Sequence, residues 1–259
     1  MPIEDVIRLA AAPRPPVELI RYVAGTEDYD EFLRSGAEVF TMFDLAARQY
    51  GGKPIAEFQK VLDFGCGIGR VLQFVPNGPA LFGCDISRPA IEYTKKSFPR
   101  AAIHCNALMP PLEYADGSFD LLYSYSVFSH LTLDVENTWL DELNRVGAKG
   151  CLYLVTVQGD WMIEATLGDE RTKAEQLGFY FKFVHGRNRT EYDFPDYYES
   201  SYHTARHIRA HWSECFDVVA VVKGDDPSRY LWGNLRFEPN GNIPFFRPMG
   251  QDLAVMWKR

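Results

Sequence analysis

The residues with the clearest chemical meaning lie between Val61 and Asp85. The run Val61-Leu62-Asp63-Phe64-Gly65-Cys66-Gly67-Ile68-Gly69-Arg70 sets three glycines at alternate positions directly after an apolar stretch. Glycine lets the main chain turn sharply and lets a ligand approach it closely. The spacing is G-x-G-x-G, because Arg70 stands where the third glycine of a dinucleotide-binding G-x-G-x-x-G loop would fall. No Gly-Lys-Ser/Thr ending follows, which excludes a P-loop. Asp85 closes the next apolar run, 20 residues after Gly65. A carboxylate at that place can accept hydrogen bonds from both hydroxyls of a ribose. Its competing role is to cap the helix that starts near Ser87.

Two further groups of residues could do chemistry. Cys66, Cys84 and Cys105 each fall near the carboxyl end of a short apolar run, where three thiolates could gather. A structural zinc site wants four close ligands, usually in paired spacing. No C-x-x-C pair exists, and strand alternation turns His104 away from Cys105, so the thiols read as small buried hydrophobes. The second group is aromatic. Phe179, Tyr180, Phe181, Phe183, Tyr192, Phe194, Tyr197, Tyr198 and Tyr202 fall within one short stretch, with Asp193, Asp196, His203 and His207 among or beside them. Such rings either form a small core of their own or wall a pocket that stacks a planar substrate. Arg187 and Arg189 could hold a carboxylate or phosphate, or stand on a solvated loop.

Elements that would position these residues follow from hydrophobic periodicity. Val61–Phe64, 80–84, 101–105, 119–123 and 150–157 read as strands, and 70–74, 89–98 and 135–146 as helices between them. Near-continuous apolar strands alternating with helices predict a parallel sheet covered on both faces. Residues 1–57 read as amphipathic helices broken at Pro13–Pro16, forming either a cover for the sheet edge or a lid. After Val157 the rhythm stops for about 45 residues, against roughly 2–6 for an ordinary connection, so 158–202 reads as an insertion. A helix over 204–215 and strands over 217–222 and 253–257 follow, the last strand antiparallel. The expected organisation is a helical segment 1–57 and an α/β domain 58–259 that carries the insertion.

Composition narrows the partners. The chain has 259 residues, a formal net charge of −8 and no Lys/Arg run. Nucleic-acid binders use basic faces that displace counterions from phosphates, so DNA, RNA and anionic lipid are disfavoured. Five cysteines without paired spacing or a signal peptide read as reduced thiols in the cytoplasm. No apolar run reaches membrane-spanning length. A monomer or homodimer is expected.

Val61–Arg70, followed by Gly83-Cys84-Asp85-Ile86-Ser87, resembles the class I S-adenosylmethionine-dependent methyltransferases. The resemblance continues through Asn106-Ala107, Tyr114–Asp120, Ser126–Leu131 and Trp139–Gly150, and the ending Gln251–Val255 is similar to a bacterial small-molecule subgroup. It implies a Rossmann-like seven-stranded sheet in the order 3-2-1-4-5-7-6 with strand 7 antiparallel, and S-adenosyl-L-methionine as cofactor. It also implies residue roles. Gly65 and Gly67, with Cys66 between them, would lie against the methionine part of the cofactor, and Asp63 would orient its amino group. Arg70 would reach its carboxylate or remain a surface arginine. Asp85 would hold the ribose and Ile86 would pack on the adenine. Asn106 and Ala107 would lie beside the adenine amine; Asn106 stands where Asp is commoner and supplies a neutral acceptor. Ser124 and Tyr125 would face the sulfonium.

Methyl transfer from a sulfonium is an in-line displacement, so the protein mainly aligns donor and acceptor. An oxygen or nitrogen acceptor, less so a carbon, can need a base. His130, a few residues beyond the fourth strand, is the candidate base, against a packing role under the next helix. Tyr198, Tyr202 and His203 are the candidate substrate-site residues on the insertion, expected to roof the cavity beside the sulfonium. Three other readings share part of the pattern: a non-methylating enzyme that transfers the aminocarboxypropyl group or cyclises the cofactor, a non-catalytic scaffold, and a nicotinamide oxidoreductase, which the glycine spacing disfavours.

Overall fold

In the computed structural model, which describes residues 3–8, 10, 12–183, 199–224 and 250–259, the alternation that begins at Lys60 builds one seven-stranded sheet. Its strands are β1 (Lys60–Phe64), β2 (Ala80–Asp85), β3 (Ala101–Cys105), β4 (Phe119–Ser124), β5 (Gly147–Val157), β8 (Phe216–Val222) and β9 (Asp252–Lys258). They lie in the order β3-β2-β1-β4-β5-β9-β8. β9 runs antiparallel to both of its neighbours and β1 to β5 are parallel. Counting within the sheet, this is the expected order 3-2-1-4-5-7-6, a Rossmann-like α/β fold.

Period-two alternation divides the core into two faces. Val61, Leu121, Tyr123, Leu152, Leu154 and Val255 share one face with the helix α3 (Tyr29–Gly51) and with Ile91 of α4 (Arg88–Ser97). Leu62, Phe64, Leu122, Tyr153, Val155 and Met256 share the other with α5 (Leu133–Val146) and α8 (Ala205–His211). The N-terminal segment also forms α1 (Ile3–Ile7) and α2 (Val17–Ala24). Asp28 caps α3 by accepting from the Asp30 and Glu31 amides, and Gly52 ends it in the left-handed conformation. Phe43 of α3 sits 5.1 Å from the Tyr123 ring, so α3 packs as a layer on the sheet core.

Two expected elements take a different form. The stretch 70–74 is not an α-helix: tight turns lead into a single 3₁₀ turn at Leu72–Phe74. Closely spaced glycines in left-handed conformations delay helix formation there. The helix expected over 204–215 stops at His211 and continues as a 3₁₀ turn, Trp212–Glu214.

The insertion folds on itself. It holds α6 (Asp160–Thr166), α7 (Arg171–Leu177) and a two-stranded antiparallel sheet of β6 (Phe179–Lys182) and β7 (Ser200–His203). Ile163, Leu167, Ala174 and Tyr202 form its small apolar core. Tyr192, Asp193, Phe194, Asp196, Tyr197, Tyr198, Arg187 and Arg189 lie outside the described residues.

Candidate active site

The parallel strands β1, β2, β3 and β4 end side by side, and their carboxyl ends open into a cleft. Its wall takes Asp63–Gly67 and Arg70 from β1 and the loop after it, Asp85 and Ile86 from β2, and Asn106 and Leu108 beyond β3. Beyond β4 come Tyr125, Ser126, Val127, His130 and Leu131; Trp139 of α5 and Tyr22 and Val23 of α2 complete it. The cleft leaves about 170 Å³ to the centres of water molecules. One buried water needs only about 10–15 Å³ on that measure, so the space suits an organic ligand and not an isolated solvent site.

The glycine loop brings main chain to the cleft floor. Gly65 sits at φ +80°, and a Cβ on it would lie 2.1 Å from Val127 Cγ2. Gly67 sits at φ +50° with Val23 against it. The amides of Gly65 and Cys66 both donate to the Cys84 carbonyl, at 2.8 and 3.0 Å, which folds the loop over the end of β2. Asp85 locks the same loop from the side. Its Oδ2 accepts from the Gly67 amide at 2.9 Å and its Oδ1 from the Ser87 amide at 2.8 Å. Each carboxylate oxygen keeps a second acceptor direction for a ligand hydroxyl. The helix-capping bond near Ser87 belongs to Ser87 itself, whose hydroxyl accepts from the Ala90 amide.

Charge in the cleft is concentrated and partly suppressed. The β1–β4 register sets Asp63 beside Tyr123, and the Tyr123 hydroxyl donates to Asp63 Oδ2 at 3.1 Å. Burial pushes the Asp63 carboxyl up to about 8, and nearby Asp85 adds to the rise. Burial also raises Asp85, against the lowering effect of the amides that donate to it. Arg70 brings the opposing charge and stacks on the Tyr125 ring, 4.6 Å from its centroid. One buried and one half-buried carboxyl beside one guanidinium make a floor suited to a ligand that carries a cationic amine, hydroxyls and a carboxylate. The Asn106 side-chain oxygen, buried without a partner, adds an acceptor where such a ligand would lie.

His130 lines the same cleft from the segment beyond β4. Its Nδ1 lies 2.8 Å from the carbonyl oxygen of Glu199, just before β7 of the insertion. A carbonyl only accepts, so Nδ1 carries the hydrogen and Nε2 is the basic nitrogen of the neutral ring. Next to it Ser126 is held at φ +61°, uncommon for a residue with a Cβ. Its amide donates to Thr156 Oγ1, and its hydroxyl meets Ser129 Oγ and accepts from Gln251 Nε2 at 3.0 Å. Such strain persists where surrounding bonds over-determine it.

Not every expected residue reaches the cleft. Ala107 is exposed beyond it. Ser124 is the fully buried last residue of β4, below the floor, and Tyr125 alone of that pair lines the wall. Tyr202 and His203 are displaced more clearly. Tyr202 fills the core of the insertion and its hydroxyl accepts from Thr166 Oγ1 at 3.1 Å. His203 faces the other way, is fully buried, and places Nε2 2.5 Å from Glu136 Oε2. Burial alone would raise Glu136, but the imidazole partners and the Trp212 indole hold it well below the ordinary carboxylate range. This pair therefore anchors β7 to α5 and lies apart from the cleft. Tyr198 lies outside the described residues. Cys66 and Cys84 are buried with their thiols pushed up by burial, and Cys105 is exposed.

Tyr22, Val23, Leu108, Ser126, Val127 and Trp139 line the cleft without having been singled out as site residues. Ser126, Val127 and Trp139 stood inside stretches that carried the family resemblance, and that was the available signal.

Residues 62–155 match the model of a methyltransferase domain family. That match, to a little over a third of the chain, is consistent with the class I S-adenosylmethionine-dependent methyltransferases that the motifs resemble. A curated relative, the uncharacterized protein RP028 of Rickettsia prowazekii (strain Madrid E), is 29% identical over 126 residues. That alignment covers 46% of this chain and 46% of the relative, so the chain spans about half the length of the curated protein it matches. Among solved structures, magnesium protoporphyrin IX methyltransferase from Synechocystis PCC 6803 with bound SAH is 13% identical with a TM-score of 0.57, covering 93% of this chain and 94% of that one. A SAM-dependent methyltransferase from Methanosarcina mazei is 17% identical with a TM-score of 0.53, covering 78% and 93%. At such identities the likeness is one of fold. The cofactor of the family, S-adenosylmethionine, fits the acidic and glycine-lined floor described above.

Proposed function

We propose that the protein transfers a methyl group from S-adenosylmethionine to an oxygen or nitrogen atom of a small molecule. The observation that carries this reading is that Asp63, Asp85, Arg70 and the glycine loop line the same cleft as His130. S-adenosylmethionine supplies, when bound, an activated methyl group on a sulfonium. Asp85 binds the ribose hydroxyls, and Asp63 and Arg70 orient the amine and the carboxylate. Ile86 and Asn106 hold the adenine. Val23, Val127, Leu131 and Trp139 keep water from the reacting atoms. His130 takes the proton of the acceptor at Nε2 while the Glu199 carbonyl holds its ring.

None of the insertion's described residues lines this site; we infer that the insertion braces the wall that carries His130, through the Glu199 carbonyl, and that α2 covers the glycine loop. The insertion's attachment supports that role: Ser201 Oγ donates to the Phe128 carbonyl at 2.8 Å and the His203 amide to the Gln158 carbonyl at 2.8 Å. An acidic protein with this cleft suits a small, diffusible acceptor and the cytoplasm. Calorimetry tests the cofactor: S-adenosylhomocysteine binds and NAD does not. Asp85→Ala weakens that binding by about 1.5–3 kcal/mol, the range for hydrogen bonds to a charged group. Preference for NAD overturns the reading. Product analysis by mass spectrometry separates methyl transfer from aminocarboxypropyl transfer or cyclisation of the cofactor.

A further inference from the structure

A second cluster of metal-ligating side chains lies away from the cleft. His207 and His211 stand four residues apart on α8 and therefore share one of its faces. That face packs on α5, where Glu136 is fully buried. One ligand atom from each of Glu136, His207 and His211 lies within 4.8 Å of the other two. None of the three lines the cleft.

The contacts inside the cluster point to a cation. His207 Nε2 is buried without a hydrogen-bond partner and sits 3.8 Å from Glu136 Oε1. That separation is too long for a hydrogen bond. It is close to the spacing of two ligands on one tetrahedral ion, which is about 3.4 Å for bonds of 2.0–2.1 Å. The supporting shell is also present. Glu136 Oε1 accepts from Trp212 Nε1 at 2.8 Å, and Oε2 meets His203 Nε2 at 2.5 Å, so the carboxylate is fixed from both sides. Asn137 Oδ1 holds the His211 ring at 2.6 Å. The His211 side chain is 25% exposed, so the cluster reaches the solvent at this edge.

We propose that Glu136, His207 and His211 bind one divalent transition-metal ion of the zinc type. Two imidazoles, one carboxylate and one water form a usual zinc donor set. The ion staples α8 to α5. Because His203 closes β7 immediately before α8, the staple also steadies the strand next to Glu199, whose carbonyl holds His130. The site needs neither S-adenosylmethionine nor methyl transfer, so its test stands apart from the function proposed above.

Tag-free full-length protein, stripped with a chelator, is titrated with zinc chloride by calorimetry and with cobalt(II) chloride by visible absorption. One ion per chain, a tetrahedral cobalt spectrum and a higher Tm with zinc are expected. His211→Ala, at the solvent edge where folding is least at risk, weakens binding by about tenfold or more, and Glu136→Gln does the same. His104→Ala, on the exposed side of β3, leaves it unchanged. If Glu136→Gln does not fold, His211→Ala decides alone. Absence of binding to the wild type overturns the proposal. So does binding that survives His211→Ala, as it would if the thiols of Cys66, Cys84 and Cys105 held the ion.

Discussion

Cofactor affinity should rise with pH, and Asp63 should be the cause. Burial holds its carboxyl up to about 8 against an ordinary value of 3.8, so the empty site keeps it mostly protonated at neutral pH. A ligand ammonium placed beside it favours the carboxylate, and binding then expels a proton. The sign follows: each proton released on binding makes affinity grow with pH until Asp63 is ionised without help. With a pKa of about 8, roughly 1% of Asp63 is ionised at pH 6 and roughly 10% at pH 7. Affinity for S-adenosylhomocysteine should therefore increase about ninefold over that interval, or about 1.3 kcal/mol. The α-amino group of the ligand titrates near 7.7–8.0 itself, so the test belongs below pH 7.5. Calorimetry in two buffers of different ionisation enthalpy should count about 0.9 proton released at pH 7. Asp63→Asn, which has the shape but no titration, should bind more weakly and lose the slope. Tyr123→Phe removes the hydroxyl that donates to the carboxylate and should move the profile to higher pH. No proton release at pH 7, or an equal slope in Asp63→Asn, refutes the reasoning.

Other perturbations separate the site from its supports. Gly65→Ala meets both a left-handed backbone and a Cβ position 2.1 Å from Val127 Cγ2, so thermal denaturation should show a clear loss. Adding Val127→Ala should recover only part of that loss, since the conformational cost of about 1–2 kcal/mol remains; full recovery would mean the backbone there is not constrained. His130→Ala should lower turnover of an accepted substrate by roughly 10²–10⁴-fold with cofactor affinity nearly unchanged, and parallel losses of stability and activity would assign it a packing role instead. His203→Ala removes one of the two hydrogen-bond donors that hold the buried Glu136 carboxylate and should cost about 1.5–3 kcal/mol in denaturant unfolding; a loss below about 1 kcal/mol would show that the pair adds little.

The parts of this protein that were legible in its sequence are those whose meaning is local. A strand-end glycine loop needs left-handed backbone wherever it occurs, and Gly65, Gly67 and Gly69 adopt it. Asp63 and Asp85 sit at the ends of short apolar strands, and parallel strands present their ends to one crevice. The sheet order followed from the family pattern of those same segments.

Long-range pairing decided the rest. His203 read as a pocket residue because it neighbours many aromatics in sequence. Alternation along β7 instead turns Tyr202 into the insertion core and His203 toward Glu136, 67 residues away. Gln251 carried only a family resemblance, yet its amide reaches Ser126 across 125 residues and helps hold a strained backbone at the cleft. His207 and His211 stand four residues apart, but only the packing of α8 on α5 brings the Glu136 carboxylate beside them. Periodicity tells which way a side chain points relative to its own element. Which element waits on that side is fixed only when the whole sheet and its two helical layers pack.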